Sequence, residues 1–167
     1  MTEPVLRRAG PEDLEAVEAL YQKNYPRLLA ADYPPSVMVT AVPLIARAQP
    51  QLLASGQFYM IEEAGQALAA GGWTREAPGS GALSPGVAHI RHVATDPGRL
   101  REGLARRLVG FLLAEAGADG VREMQCYSTL TAEPFYAAMG FVRQGPMQVE
   151  LPRGIAFNAV RMTCALR

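Results

Sequence analysis

Lysine is almost missing from this chain: only Lys23 among 16 basic residues is a lysine, and 16 acidic residues bring the formal net charge to zero. Without a basic excess, no global field draws the protein to nucleic acid or to an anionic membrane, and neither is expected as a partner. Histidine and cysteine are scarcer still. His89 and His92 are the only histidines, Cys126 and Cys164 the only cysteines, and no CxxC occurs. That leaves no ligand set for a tetrahedral zinc site, so no metal is expected, and each cysteine, set in an apolar stretch, reads as a buried reduced thiol. No apolar run approaches the roughly 20 residues of a membrane span. Met1-Thr2-Glu3-Pro4 lacks the basic-then-apolar profile of a signal peptide, so a cytoplasmic location is expected. Arginine in place of lysine, with abundant Ala, Gly and Pro, reads as the base composition of a GC-rich bacterial genome.

What is present suits a globular protein. With 167 residues, 49% hydrophobic and 19% charged, the chain can bury a core, and one domain over residues 1–167 is expected. Val5 to Arg8 reads as a strand. Pro11, Glu12 and Asp13 suit a helix start, and Leu14, Val17, Leu20 and Tyr21 follow at helical spacing. Prolines 26, 34, 35, 43 and 50 then break the signal, leaving a second helix over 36–48 bent near Pro43. With Tyr21, Tyr25 and Tyr33, this stretch reads either as a lid or as a connection whose tyrosines pack on the core.

A hairpin is expected over 57–74, turning at Glu63-Ala64-Gly65, and a Gly/Pro/Ser loop over 77–86. There follow a strand over 87–95, a helix over 101–116, a strand over 121–127, a short helix over 132–139 with Gly140 at its left-handed stop, and strands over 142–151 and 157–165. The order β-α-α-β-β-β-α-β-α-β-β describes an α/β domain with a mixed sheet.

Two segments carry chemistry. The first is His89-Ile90-Arg91-His92-Val93-Ala94-Thr95-Asp96-Pro97, followed by Gly98-Arg99-Leu100-Arg101-Glu102-Gly103-Leu104-Ala105-Arg106. Small residues at a helix start let a ligand approach free N–H groups, with the helix dipole behind them, which suits a phosphate. Arg99, Arg101 and Arg106 could add charge at the rim. Neither GxxxxGK nor GxGxxG is present, and an ordinary Gly-containing turn fits this segment alone as well. The second segment runs from Ser128 through Thr131-Ala132 to Phe135-Tyr136-Ala137-Ala138-Met139-Gly140-Phe141. Taken alone, its aromatics read as core.

Together the two segments resemble the GNAT superfamily of N-acetyltransferases. Thr95-Asp96-Pro97 stands in the family's V-x-P slot, and Gly103 and Ala105 fill the small positions of [Q/R]-x-x-G-x-[G/A]. Phe135-Tyr136-Ala137-Ala138-Met139-Gly140-Phe141 fills F-Y-x-x-x-G-F. The chain departs at Leu100, where Gln or Arg is usual, and at Thr131, where Asn is usual.

The resemblance implies an α/β (α+β) fold: a mixed, mostly antiparallel seven-stranded sheet flanked by about four helices, with splayed central strands. It implies acetyl-CoA as co-substrate. Backbone at Val93, Ala94 and Thr95 would take the pantetheine, with the Val93 N–H as donor to the thioester oxygen. The N–H groups of Leu100, Arg101, Glu102, Gly103, Leu104, Ala105 and Arg106 would surround the pyrophosphate, and Ser128, Thr131, Phe135 and Tyr136 would complete the cofactor set. Tyr136 matches the tyrosine that protonates the departing thiolate. His89 stands where some branches carry a general base, although a strand histidine satisfied by its neighbours fits that position too. Glu62, Glu63 and Glu150 are weaker alternatives.

Strand alternation predicts His89, Arg91, Val93 and Thr95 on one face, with Ile90, His92 and Ala94 on the other and His92 under the helices. The acceptor would be a small-molecule or peptide amine. A non-catalytic acyl-CoA-binding module on the same fold is the competing reading. Homodimer formation is an expectation from the family alone.

Overall fold

The computed structural model describes residues 3–166. Seven strands, β1 (Val5–Arg8), β2 (Phe58–Glu63), β3 (Gln66–Thr74), β4 (Val87–Thr95), β5 (Glu123–Thr129), β6 (Val142–Leu151) and β7 (Ile155–Ala165), form one sheet in the order β1-β2-β3-β4-β5-β7-β6. All neighbours are antiparallel except β4 and β5. The helices are α1 (Leu14–Leu28), α2 (Pro35–Thr40), α3 (Val42–Ile45), α4 (Pro50–Leu53), α5 (Leu104–Ala118) and α6 (Glu133–Ala138).

The expected helix over 36–48 is therefore two short helices, because Pro35 and Pro43 each open a helical turn and neither can continue one. The short α4 was not expected from the sequence; it begins at Pro50 for the same reason.

The sheet separates two cores. On one face, Val17, Leu20, Tyr21 and Tyr25 of α1 pack with Phe58, Met60, Ala70 and Ala94. On the other, Leu104, Leu108 and Leu112 of α5 pack with Tyr59, Ile61, Trp73, Ala88 and Ile90. Burying side chains of this size contributes about 1.5–3 kcal/mol each. Arg7 ties β1 to its surroundings, bridging Asp13 and Glu62 at 2.8 Å each.

Two departures from a regular sheet define the centre. β4 and β5 pair only through Val87–Glu123, Ala88–Met124 and His89–Gln125, after which they part. From Ile90 onward, the β5-facing backbone groups of β4 have no strand partner, so the central strands are splayed as the resemblance implies. The second departure is a bulge: Arg91 pairs with Gly72 and Ala94 with Ala70, so His92 and Val93 together oppose Gly71. His92 sits at φ 58°, a left-handed conformation that costs roughly 1–2 kcal/mol and persists only where neighbours enforce it. They do so here. The Tyr21 hydroxyl donates to the His92 carbonyl at 2.7 Å, the imidazole stacks on Tyr21 with centroids 4.0 Å apart, and its Nε2 meets the Ile45 carbonyl at 2.7 Å. Gly71 lies beneath; a Cβ there would come within 2.5 Å of Val93 Cγ2 and 3.0 Å of its Cα.

The bulge corrects the expected alternation. Ala88, Ile90 and Val93 pack on the α5 core, whereas His92 and Ala94 pack on the α1 core. One extra residue inverts the phase of the strand, so Val93 does not share a face with His89 and Arg91. His92 does pack under the helices. The three tyrosines are also core residues: Tyr33 donates to the Asn158 carbonyl, accepts from the Leu130 N–H and stacks on Phe157.

Burial holds the His92 imidazole down at about 4, opposed by its bond to Ile45 and reinforced by Arg91. A buried neutral histidine takes up its proton more readily once unfolded. Its contribution is therefore complete above about 6.5, the unfolded value, and is lost as pH falls towards the folded one. We expect thermal stability to decline between pH 6.5 and 4 by on the order of 3 kcal/mol from this group. His92→Phe should be less stable at pH 7 but show a shallower acid decline; an unchanged slope would remove His92 as its source.

Candidate functional site

The site assembles where β4 and β5 part. Along β4, His89 forms the last pair with β5 and is buried, and its Nδ1 has no hydrogen-bond partner among the described residues. The Tyr127 ring of β5 meets it edge-on at 5.8 Å. Burial first, then the neighbouring Arg91 cation, pushes His89 below the ordinary histidine value, against an opposing pull from Glu123. The imidazole is therefore neutral at pH 7, the state a proton acceptor needs.

Tyr136 approaches from α6. That helix ends in paired bonds from the Gly140 N–H to Ala137 and from the Phe141 N–H to Tyr136, a closure that folds the following residue back on the helix. Phe141 and Phe135 accordingly stand edge-on to the Tyr136 ring at 5.3 and 5.1 Å. The phenol lies beside the Cys126 thiol. Burial raises it well above its ordinary value, with Cys126 and Tyr25 adding to the rise. Cys126 is itself pushed up to about 12 by burial. Both groups stay protonated at neutral pH: Tyr136 is a hydrogen-bond donor, and Cys126 is no nucleophile.

The turn after β4 forms the third part. Asp96 caps it, accepting from the Gly98 N–H at 2.8 Å, and is held by Lys23 at 3.2 Å. Arg101 and Gly103 both adopt positive φ, 70° and 76°, and Gly103 is the residue on which α5 starts. A Cβ at Gly103 would meet nothing within 4 Å, so this glycine borders open space at the helix start. No acidic residue occupies the first turn of α5. Unpaired N–H groups with the positive end of the dipole and no carboxylate to fill them suit an anion.

Val93, Ala94 and Thr95 line the strand that leads into this turn, and the Asn24 amide donates to the Thr95 carbonyl at 2.5 Å. Arg101 and Arg106 are exposed at the rim, but Arg99 is committed to Glu63 at 2.7 Å and Glu102 at 2.6 Å. Leu100 is 46% exposed. Ser128 is buried with its hydroxyl donating to the Thr129 carbonyl, and the Thr131 hydroxyl donates to Asp32 at 2.7 Å. Of the alternative bases, Glu62 is bound by Arg7 and Glu63 by Arg99, while Glu150 pairs with Ala156 near the distal end of the β6–β7 hairpin.

Sequence reasoning left Tyr21 and Tyr25 between lid and core and read Cys126 as a buried thiol, but gave neither these nor Gly71 a place at the site. For Gly71 the signal was the Gly71-Gly72 doublet, since glycine inside a strand marks a bulge or a close approach. Side-chain titration by NMR should place His89 below about 6.5. Arg91→Gln, which removes the cation, should move it upward; a wild-type midpoint at or above that value would contradict the buried neutral state.

The chain is similar to solved structures over nearly its whole length. A GCN5-related N-acetyltransferase from Rhodopseudomonas palustris superposes with a TM-score of 0.80 at 22% identity, covering 99% of this chain and 98% of that one. The PaiA N-acetyltransferase of Thermoplasma acidophilum, solved with coenzyme A, gives 0.71 at 11% identity, covering 98% and 99%. The ribosomal-protein-S18-alanine N-acetyltransferase of Escherichia coli gives 0.65 at 17% identity, covering 98% and 94%. At these identities the likeness is one of fold. No curated protein sequence matches the chain significantly. The family model for the acetyltransferase (GNAT) domain matches residues 44–166; over a fold with splayed central strands, this places the chain in the GNAT acetyltransferase family.

Proposed function

We propose that the protein is an acetyl-CoA-dependent N-acetyltransferase that transfers the acetyl group directly to a primary amine. The observation that carries this reading is the convergence on one gap of three features: backbone of β4 without a strand partner, an open helix start at Gly103, and a buried protonated Tyr136. Pantetheine would extend the sheet along β4 at Val93 to Thr95, as an added strand does at any open edge. The pyrophosphate would rest on the N–H groups of Leu100 to Arg106, with Arg101 and Arg106 at its rim.

In the transfer, the amine nitrogen attacks the acetyl carbonyl and the carbon–sulfur bond breaks. His89 takes the proton that the nitrogen loses, and the Tyr136 hydroxyl donates to the departing sulfur. The backbone N–H of Val93 would stabilise the charge on the carbonyl oxygen. The phenol is protonated at neutral pH, and its burial keeps it a donor. No covalent enzyme intermediate is needed, consistent with the inert Cys126.

A ligand that binds only the folded state raises its stability, by about 2.7 kcal/mol at a hundredfold excess over Kd. Acetyl-CoA should stabilise the wild type in this way but not Gly103→Glu, whose side chain would enter the open space. In a thiol-release assay, Tyr136→Phe should lower kcat by about 100-fold or more with little change in acetyl-CoA KM. Folded wild type that ignores acetyl-CoA would leave the enzyme reading without support.

A further inference from the structure

Four arginines among the described residues are half-buried: Arg7, Arg75, Arg91 and Arg99. Three of them are neutralised, Arg7 by Asp13 and Glu62, Arg75 by Asp119, and Arg99 by Glu63 and Glu102. Arg91 is not. Its Nη1 donates to the Thr74 hydroxyl at 2.9 Å, and no carboxylate among the described residues lies within 4.0 Å of it. Glu76 is the acidic group that acts on it, and only as an opposing influence to burial. A partly desolvated guanidinium without a counter-ion is costly, and an anionic ligand removes that cost.

Its place in the site gives this meaning. Thr74 pairs with His89 across β3 and β4, and Arg91 lies two residues further along, before the bulge, so all three share one sheet face. His89 is level with Gln125 of β5, which puts Arg91 level with Tyr127 where the strands have parted. Tyr127 in turn pairs with Arg161 of β7. Val160 and Met162 enter the α5 core, so Arg161 points to the opposite face, the one that carries His89. Arg161 is exposed and also has no carboxylate within 4.0 Å among the described residues. The remaining acid near this face, Glu123, accepts from the Gln125 amide at 3.0 Å.

We infer that the acceptor carries a carboxylate beside its amine, and that Arg91, on the β4 lip of the gap, and Arg161, on β7 next to the β5 lip, hold that carboxylate while the amine faces His89. The inference rests on the acetyl-transfer reading and narrows its substrate to amino-acid-like amines. Arginine suits the task because its planar fork pairs with carboxylates bidentately. The same two cations disfavour a polyamine, whose second ammonium would stand where the carboxylate should.

The test compares each of a panel of L-amino acids with its own amide as acceptor, at saturating acetyl-CoA, by thiol release. Carboxylates should exceed their amides at least tenfold in kcat/KM. Arg91→Gln should bring that ratio close to one, Arg91→Lys should restore part of it, and Arg161→Gln, a surface change that leaves the fold intact, should lower it several-fold. Acetyl-CoA KM should not move in any of them. Equal use of acids and amides, preference for polyamines, or a ratio indifferent to both arginines would overturn the proposal while leaving acetyl transfer standing. Binding of the same amino acids is followed in parallel by NMR shifts of His89 and the Arg91 Nε–H, without acetyl-CoA. Shifts absent from this arm, in a protein that does bind acetyl-CoA, would also overturn it. Loss of acetyl-CoA binding alone would instead strike the parent reading.

Discussion

The hydrogen bond from the Tyr21 hydroxyl to the His92 carbonyl governs the geometry of the whole centre. It holds a non-glycine residue in the left-handed region, and the stack of Tyr21 and the Ile45 carbonyl hold its ring. With that residue fixed, Val93 turns to the α5 side and the missing Cβ of Gly71 makes room for it, on the stretch of β4 that has already parted from β5. The strain stored in one backbone unit is offset by the helix packed above it, as expected of strain kept at a functional site.

The electrostatics of the centre follow from burial more than from charge pairing. His89 and His92 are held neutral, Tyr136 and Cys126 are held protonated, and Arg91 alone on this face stays partly buried as a cation. Each of these shifts has desolvation as its largest cause. The ion pairs stand away from His89, Arg91 and Tyr136: around Arg7 at the first strand, and around Lys23–Asp96 and Arg99 in the turn after β4, where they fix backbone.

Much of this was legible in the sequence. Strands and long helices follow from hydrophobic periodicity, and the segments containing Gly103 and Phe135-Tyr136 carried the family resemblance that implied splayed central strands. Along β4 itself the bulge was not legible, because alternation over 87–95 looks unbroken: the extra residue shows in the partner strand's register, where the Gly71-Gly72 doublet was the one hint. The division of residues 35–53 into three short helices was half visible through its prolines. The roles of Tyr21, Tyr25 and Tyr33 were left between lid and core because exposure is a tertiary property. The commitment of Thr131 to Asp32, 99 positions away in the chain, lies beyond any local pattern.

With only three residue pairs joining β4 to β5, the sheet is two leaves, one of four strands and one of three, meeting at a short seam. A guest lying along the open part of that seam would hydrogen-bond to the rim of one leaf while its far end rests on the helix that follows it. Such a guest is a brace as much as a reactant. Amide hydrogens along the outer reach of β4 and β5 should then be the ones whose exchange slows most when the gap is filled, so the leaves would stiffen towards one another before any bond is made or broken.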